Sequence, residues 1–324
     1  MRSGFPLFPE QASTLAGRVD AIYFFLVIIS GFFSLLIFAA VIYFAIKYHH
    51  RAGEEHAPGL VNDNLTLEIV WTVVPLALTM IMFVWGAKVY FSMSRPPNDS
   101  LEIFVVGRQW MWKFQHPDGQ REINELHVPL GQPVKLVIAS EDVIHSFYVP
   151  AFRVKQDAVP GRYTTVWFEA TKTGRFHMFC AEYCGTQHSG MIGRIVVLEP
   201  VQYAAWLSGD TAPSGAAMAA TRPPAEGSLA DRGHRLFQQL GCASCHLPDR
   251  QGIGPLLHGV FGNPVRLRDG RTALADESYI RESILQPQAK ITAGFQALMP
   301  SFQGRVNEEE LMQLLAYIKS LKKI

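Results

Sequence analysis

The stretch Cys180-Ala-Glu-Tyr-Cys184-Gly-Thr-Gln-His188-Ser-Gly-Met191 gathers two thiols, an imidazole and a thioether into residues 180–191. Donors of this kind are soft and select copper over hard cations. A mononuclear blue-copper site uses one Cys, two His and a weak axial Met, so the second cysteine points to a dinuclear centre. One further ligand is needed upstream, and His145, at the end of an apolar strand in Glu141-Asp-Val-Ile-His145-Ser146, is the natural candidate. The other two of the chain's four cysteines stand in Cys242-Ala-Ser-Cys245-His246, the spacing of a covalent haem c attachment. Cofactor patterns take both pairs, so none is left for a structural disulfide.

Working outward, the 324 residues allow about two domains, and 48% of them are hydrophobic. Much of that excess lies in two N-terminal runs. The first extends from Val19 to Ile46 with no charge after Asp20, and the second from Ile69 to Ala87 with none between Glu68 and Lys88. About 20 such residues cross a hydrocarbon core of about 30 Å, so both read as membrane spans, over residues 19–48 and 66–93. The first run is too long for a signal-peptide core of about 7 to 15 residues. Pro75 inside the second is tolerated in a membrane helix when neighbours satisfy the freed carbonyl. Two spans put both termini on one side. The connecting loop sets Lys47 and Arg51 against Glu54 and Glu55, too balanced to orient the hairpin. A net charge of +1 gives no reason to expect nucleic acid.

After Arg95-Pro96-Pro97-Asn98-Asp99 the pattern shortens to strand-like segments at 101–106, 134–139, 163–169 and 192–198, punctuated by Pro129, Gly131, Pro160, Gly161 and Gly174. A β-sandwich over 98–205 fits. Residues 206–227 turn to Ala, Pro, Ser and Gly and read as a flexible linker, with a reach of roughly 25 Å. The last segment, 228–324, reads as a small helical domain. Ser228 can cap its first helix, and Asn307 with Glu310 has capping-box spacing before its last.

The stretch around Cys180 closely resembles the copper-A domain of cytochrome c oxidase subunit 2. The resemblance covers both spans and the sandwich, including Gly107-Arg-Gln-Trp110-Met-Trp112 and Asp157-Ala-Val-Pro-Gly-Arg162. It implies a cupredoxin-like fold in which Cys180 and Cys184 bridge two coppers. His145 and Met191 would bind one copper, and His188 and the Glu182 carbonyl the other. The side chain of Glu182 would reach a magnesium shared with subunit 1, as suits a carboxylate and a hard cation. With Glu182, His188 and Met191 at the family positions, a disulfide or a zinc site of Cys-x2-4-Cys type is the poorer reading of the cysteine pair. The family gives His177 no metal. By the same resemblance Trp110 is where electrons enter. Trp112 would be a second aromatic of that path, although many relatives carry Tyr where this chain has Met111. Glu68 matches a glutamate near a proton-uptake path; read by itself it is a first-turn acid favoured by the helix dipole.

The haem motif is followed by Gly254-Pro-Leu-Leu-His-Gly259 and by Leu298-Met-Pro300, as in class I cytochromes c. That resemblance makes His246 the proximal and Met299 the distal ligand, with the Pro255 carbonyl orienting His246. Met312 and His258 are the competing ligands. Cytochrome c maturation happens outside the cytoplasm, which places both C-terminal domains on the outer, periplasmic side of a bacterial inner membrane. Together the two resemblances are to a caa-type oxidase subunit 2. They imply a dinuclear copper A, a haem c, oxidase subunits 1 and 3 as partners in the lipid bilayer, and soluble cytochrome c or a neighbouring respiratory complex as donor. The alternative is the electron-input subunit of a copper-A nitric oxide reductase. A quinol oxidase subunit would lack the copper ligands.

Overall fold

The computed structural model describes residues 8–49, 64–208, 227–247 and 252–321. The expected linker, from residue 209 to 226, and most of the loop between the two spans lie outside the described residues. The chain divides into two units, residues 15–95 and the remainder.

The first unit is a pair of long helices, α1 (Ala16–Lys47) and α2 (Leu65–Ser94), each a few residues longer than the spans read from the sequence. At about 1.5 Å per residue either exceeds the hydrocarbon thickness. The Asn64 side chain caps α2 by accepting from the Leu67 amide at 3.1 Å, and Pro75 lies within the helix. Phe25 and Trp85 meet with ring centroids 5.4 Å apart, and Arg18 donates to Ser92 at 3.0 Å. Both helices expose large apolar side chains such as Leu35, Phe38 and Phe83, a surface suited to lipid and costly in water. Glu68 is exposed in the first turn of α2.

In the second unit ten strands follow in chain order: β1 (Leu101–Arg108), β2 (Met111–Gln115), β3 (Arg121–Ile123), β4 (Glu125–Pro129), β5 (Pro133–Ser140), β6 (His145–Val149), β7 (Val154–Ala158), β8 (Thr164–Glu169), β9 (Gly174–Cys180) and β10 (Ile192–Leu198). They form two five-stranded sheets, ordered β3-β2-β1-β5-β8 and β4-β10-β9-β6-β7. β1 and β5 run parallel in the register Ile103↔Leu136, Phe104↔Val137, Val105↔Ile138 and Val106↔Ala139. All eight of these side chains are buried, so the pair is covered on both faces, as its unbroken apolar runs require. Before α1, residues 12–14 lie along the sandwich through Ala12 N to Ala151 O, Thr171 N to Ala12 O and Thr14 N to Glu169 O.

Helix α3 (Pro200–Ser208) closes the sandwich. Residues 206–208, read from the sequence as the start of the linker, lie in this helix, where Trp206 stacks on His127 at 4.5 Å and meets His116 edge-on at 5.2 Å. Beneath it the Glu122 carboxylate accepts from His116 Nε2 at 2.8 Å, His127 Nδ1 at 2.5 Å and the His127 amide at 3.0 Å. These bonds tie β2, β3 and β4 together under α3.

The C-terminal domain consists of α4 (Leu229–Gln239), a small hairpin of β11 (Pro264–Arg266) and β12 (Thr272–Leu274), α5 (Glu277–Leu285) and α6 (Glu308–Ser320). Ser228 caps α4 and Asn307 with Glu310 caps α6, as read from the sequence; Asp231 completes a capping box at α4 as well. The two helices cross at Gly233, where a Cβ would lie 1.9 Å from the Gln313 carbonyl oxygen. Only glycine fits that crossing.

Burial raises the Glu122 carboxyl, but the hydrogen bonds from His116 and His127 outweigh it and hold the group below the usual glutamate range near 4.5. A depressed carboxylate contributes stability that is complete above that range and is lost as pH falls through the folded value. Glu122→Gln should therefore cost about 1–3 kcal/mol at neutral pH, because buried imidazoles lose their acceptor. The stability difference from wild type, followed by denaturant unfolding, should shrink below pH 4.5. A difference that does not vary with pH would contradict it.

Candidate metal centres and their surroundings

The end of β9, the start of β6 and the loop from residue 181 to 191 build the first centre. Main-chain pairing of Phe147 with Cys180, and the bond from Ala181 N to Ser146 O at 2.9 Å, bring His145 beside Cys180. The loop then turns back through a 3-10 turn at His188–Gly190, closed by Met191 N to His188 O and by Cys180 N to Met191 O, both at 3.1 Å. The two sulfurs are 3.8 Å apart. Around them stand His145 Nδ1 at 3.9 Å and the Glu182 carbonyl oxygen at 3.2 Å from Cys180 Sγ, and His188 Nδ1 at 3.4 Å and Met191 Sδ at 3.8 Å from Cys184 Sγ. Every expected copper ligand is thus brought to one place. The donor set fits two copper ions: two thiols, two imidazole nitrogens, a thioether and a carbonyl, with Cys180, Cys184, His145 and Met191 buried and His188 half-buried.

Burial opposes ionisation of both thiols. At Cys180 the hydrogen bonds to His145 and the Ser146 and Glu182 backbone outweigh it and bring the thiol down to about 6. At Cys184 burial, joined by the charge of Cys180, pushes the thiol up to about 12. One thiolate is therefore ready for a metal, and the second forms as the metal displaces its proton.

Around the ligands lies a scaffold. Asp142 Oδ1 accepts from His145 Nε2 at 2.8 Å, which leaves Nδ1 facing the sulfurs, and Asp142 Oδ2 accepts from the Gln109 amide at 2.8 Å. The Gln109 side chain donates to the Cys184 carbonyl at 2.7 Å. The β1–β2 turn is thereby bonded to both copper-binding loops, and the Trp110 ring lies over Gly185, where a Cβ would come within 3.4 Å of the ring and 2.9 Å of Gln109 Nε2. Trp110 is partly exposed on this turn. Trp112, expected beside it on the path of electron input, is instead fully buried, edge-on to His145 at 6.0 Å and to Phe147 at 5.5 Å. Its place on the inward face of β2 sets it behind His145, within the core of the sandwich. The exposed Glu182 side chain is free to reach another group, and His177 lies on the outer face of β9 stacked on Phe179. Asp142 and Gln109 were not read from the sequence. Their signal was the clustering of polar residues just before His145 and in the β1–β2 turn.

The second centre is a cavity of about 660 Å³ in the helical domain, lined by Cys242, Cys245, His246, Met299 and the apolar side chains of Phe237, Leu314 and Ile318. His246 Nδ1 bonds the Pro255 carbonyl oxygen at 2.8 Å, so Nε2 is the nitrogen left for iron. Gly254 is required here, since a Cβ would fall 2.7 Å from the His246 ring. Met312 is fully buried in α6 outside the cavity lining, and His258 is also outside it. An apolar cavity with two free thiols, one oriented imidazole and one thioether fits a haem held by two thioether bonds.

Three family models match the chain: the transmembrane domain of cytochrome c oxidase subunit II over residues 3–88, its periplasmic domain over 120–199, and cytochrome c over 230–322. Cytochrome c oxidase subunit 2 of Alkalihalophilus pseudofirmus is 31% identical over 305 residues, covering 91% of this chain and 85% of the relative. The chain belongs to the cytochrome c oxidase subunit 2 family. An alignment that long includes both the copper and the haem motif regions. Cytochrome c oxidase subunit 2 of Thermostichus vulcanus is 32% identical, covering 62% of this chain and 77% of the relative. The alternative cytochrome c oxidase subunit 2 of Bradyrhizobium diazoefficiens is also 32% identical, covering 55% and 75%. The chain is accordingly a subunit of a haem-copper oxidase, an oxidoreductase complex, with two membrane helices, a cupredoxin-like copper domain and a cytochrome c domain.

If Asp142 positions His145, Asp142→Ala should keep the fold and lower copper affinity about 10- to 100-fold in competition with a chelator. Wild-type affinity would show that His145 is held by packing alone.

Proposed function

We propose that this chain is the electron-input subunit of a caa-type terminal oxidase, passing electrons from haem c to a dinuclear copper A and on to subunit 1, where oxygen is reduced to water with proton translocation. The observation that supports it most is the convergence of His145, Cys180, Glu182, Cys184, His188 and Met191 on one pair of sulfurs. Cys180, Cys184, His145, His188, Met191 and the Glu182 carbonyl would hold a copper pair, which would supply one-electron transfer at low reorganisation cost.

The chain's own residues supply position and insulation. His145 is oriented by Asp142, Cys184 is steadied through its carbonyl by Gln109, and Met191 is fully buried against the second thiol. Trp110, on the turn bonded to both loops, is the proposed point of electron input. The Glu182 carboxylate would hold magnesium with subunit 1, while its carbonyl faces the copper. Cys242, Cys245, His246 and Met299 would hold the haem, which would supply one-electron transfer. Glu68, at the start of α2, is assigned to proton uptake. The partners are oxidase subunits 1 and 3 and membrane lipid. Soluble cytochrome c or a neighbouring respiratory complex is the outside donor, and both C-terminal domains lie on the outer side of the bacterial inner membrane.

The purified complex should carry two coppers in this subunit per haem c, show a near-infrared band of a mixed-valence pair and consume oxygen. One copper per haem, or turnover of nitric oxide in place of oxygen, would overturn the reading. Trp110→Phe should slow reduction of the copper pair with copper content unchanged; loss of copper would make Trp110 structural. Met191→Leu should retain both coppers and shift their potential, measured by spectroelectrochemistry. An unchanged potential would remove Met191 from the ligand set.

A further inference from the structure

The outer face of a sandwich sheet is ordinarily polar, but that of the β1–β5 sheet is apolar. Phe104, Val106, Val137 and Ala139 point away from the sandwich interior and are buried in one cluster with Leu229, Leu311 and Leu315 of the haem domain. Tyr163, at the start of β8, joins the same cluster.

Charges frame this seam at both ends. At one end Lys113 of β2 stands between Glu141 and Glu309, at 3.3 and 3.0 Å, and Arg121 reaches Glu309 at 3.4 Å. At the other, four side chains close a ring of alternating sign. Lys135 contacts Glu102 and Glu277, each at 3.0 Å, and Lys319 contacts the same two carboxylates. Glu102 and Lys135 come from the sandwich, Glu277 and Lys319 from the haem domain, and each side chain of the ring is 15–21% exposed. Burial works against the Lys135 charge, but Glu102 and Glu277 hold its ammonium above the ordinary range. Such partly buried pairs resist screening better than open surface pairs, and reversing one partner leaves the others uncompensated.

Polar bonds across the seam add direction. Arg281 Nη1 donates to the Gly161 carbonyl at 2.6 Å, in the Pro160-Gly161 turn of the sandwich. The β2–β3 turn holds what flanks residues 209–226 on both sides: Gln120 Nε2 donates to Leu207 O at 2.9 Å, Pro117 O accepts from Leu229 N at 3.0 Å, and Gly119 O accepts from Arg232 Nη2 at 3.0 Å. The two ends of the tether are therefore pinned to one turn. Among the described residues the haem cavity, in contrast, is lined by residues between 237 and 318 and by none from the sandwich.

We propose that the haem domain is permanently seated on the outer face of the β1–β5 sheet, so that the peptide linker supplies connection but not position. The seat is filled by the chain's own α6 and α5 and is closed to other proteins. An outside donor consequently meets the haem domain at its cavity side, and intramolecular transfer proceeds from one fixed arrangement with no swinging step. This rests on the function proposed above for the direction of electron flow, but the seat itself is testable without it.

A specific protease site placed within residues 209–226 of the full-length chain allows the tether to be cut after purification. The haem absorbance should then co-elute with the membrane-anchored part at micromolar concentration, in low salt and in 0.5 M salt alike. Lys135→Glu, which sets three carboxylates together, should leave the uncut chain with its haem and copper spectra but release the haem domain on cutting, with retention at least tenfold weaker. Release of the cut wild-type haem domain overturns the proposal, and so does full retention of the cut Lys135→Glu variant. Oxygen consumption by the uncut protein is the separate readout. If it persists while the cut domain separates, the seat is wrong and the function stands. If the domain stays seated and oxygen is not consumed, the reverse holds.

Discussion

The parallel pairing of β1 with β5, buried on both faces, is the constraint on which the rest of the soluble structure depends. Its inward residues, Ile103, Val105, Leu136 and Ile138, fill the sandwich, while its outward residues, Phe104, Val106, Val137 and Ala139, support the haem domain. Each large side chain buried this way contributes about 1.5–3 kcal/mol, and a strand pair with two buried faces cannot slip register without exposing both sets. The same two strands end beside the candidate metal centre. Gly107 closes β1 so tightly against His145 and Trp112 that a Cβ would lie 3.1 Å from the imidazole, and β5 runs into Ser140, Glu141 and Asp142.

That arrangement makes the copper-binding loops parts of a rigid frame. His145 is fixed by Asp142 on one side and by the edge of Trp112 on the other, and Asp142 in turn holds the turn that carries Trp110. A centre that must change little between two oxidation states gains from this kind of preorganisation, because ligands held by neighbours do not relax when the charge changes. The haem site uses the same device on a smaller scale, with the Pro255 carbonyl and the missing side chain of Gly254 setting the His246 ring.

Most of this was legible in the chain where chemistry imposes spacing. Cys180, Cys184, His188 and Met191 fall within residues 180–191 and meet in the fold, Cys242, Cys245 and His246 line one cavity, and the two apolar runs form the two long helices. The capping residues Ser228 and Asn307 were visible for the same reason, since the cap and its partner are three residues apart. What escaped was long-range. Asp142 is near His145 in sequence, but its bond to the Gln109 amide depends on a hairpin 33 residues away. Trp112 reads like its neighbour Trp110, but Trp110 sits in the turn before β2 and stays partly exposed, whereas Trp112 lies within the strand and faces the core. The small residues after Trp206 hid the last turn of α3, whose order comes from Trp206 stacking on His127. The seam between the domains left a trace in the unbroken apolar runs of β1 and β5, but a run alone does not say what covers its second face.

Flash reduction of the haem c in the assembled complex tests most directly whether haem and copper pair exchange electrons in one fixed arrangement. After the flash, haem c should reoxidise in a single first-order phase that matches the change in the near-infrared copper band. The rate should not depend on protein concentration, solvent viscosity or ionic strength. A copper band that is reduced before or independently of haem c, or a rate that falls in proportion to viscosity, would contradict it.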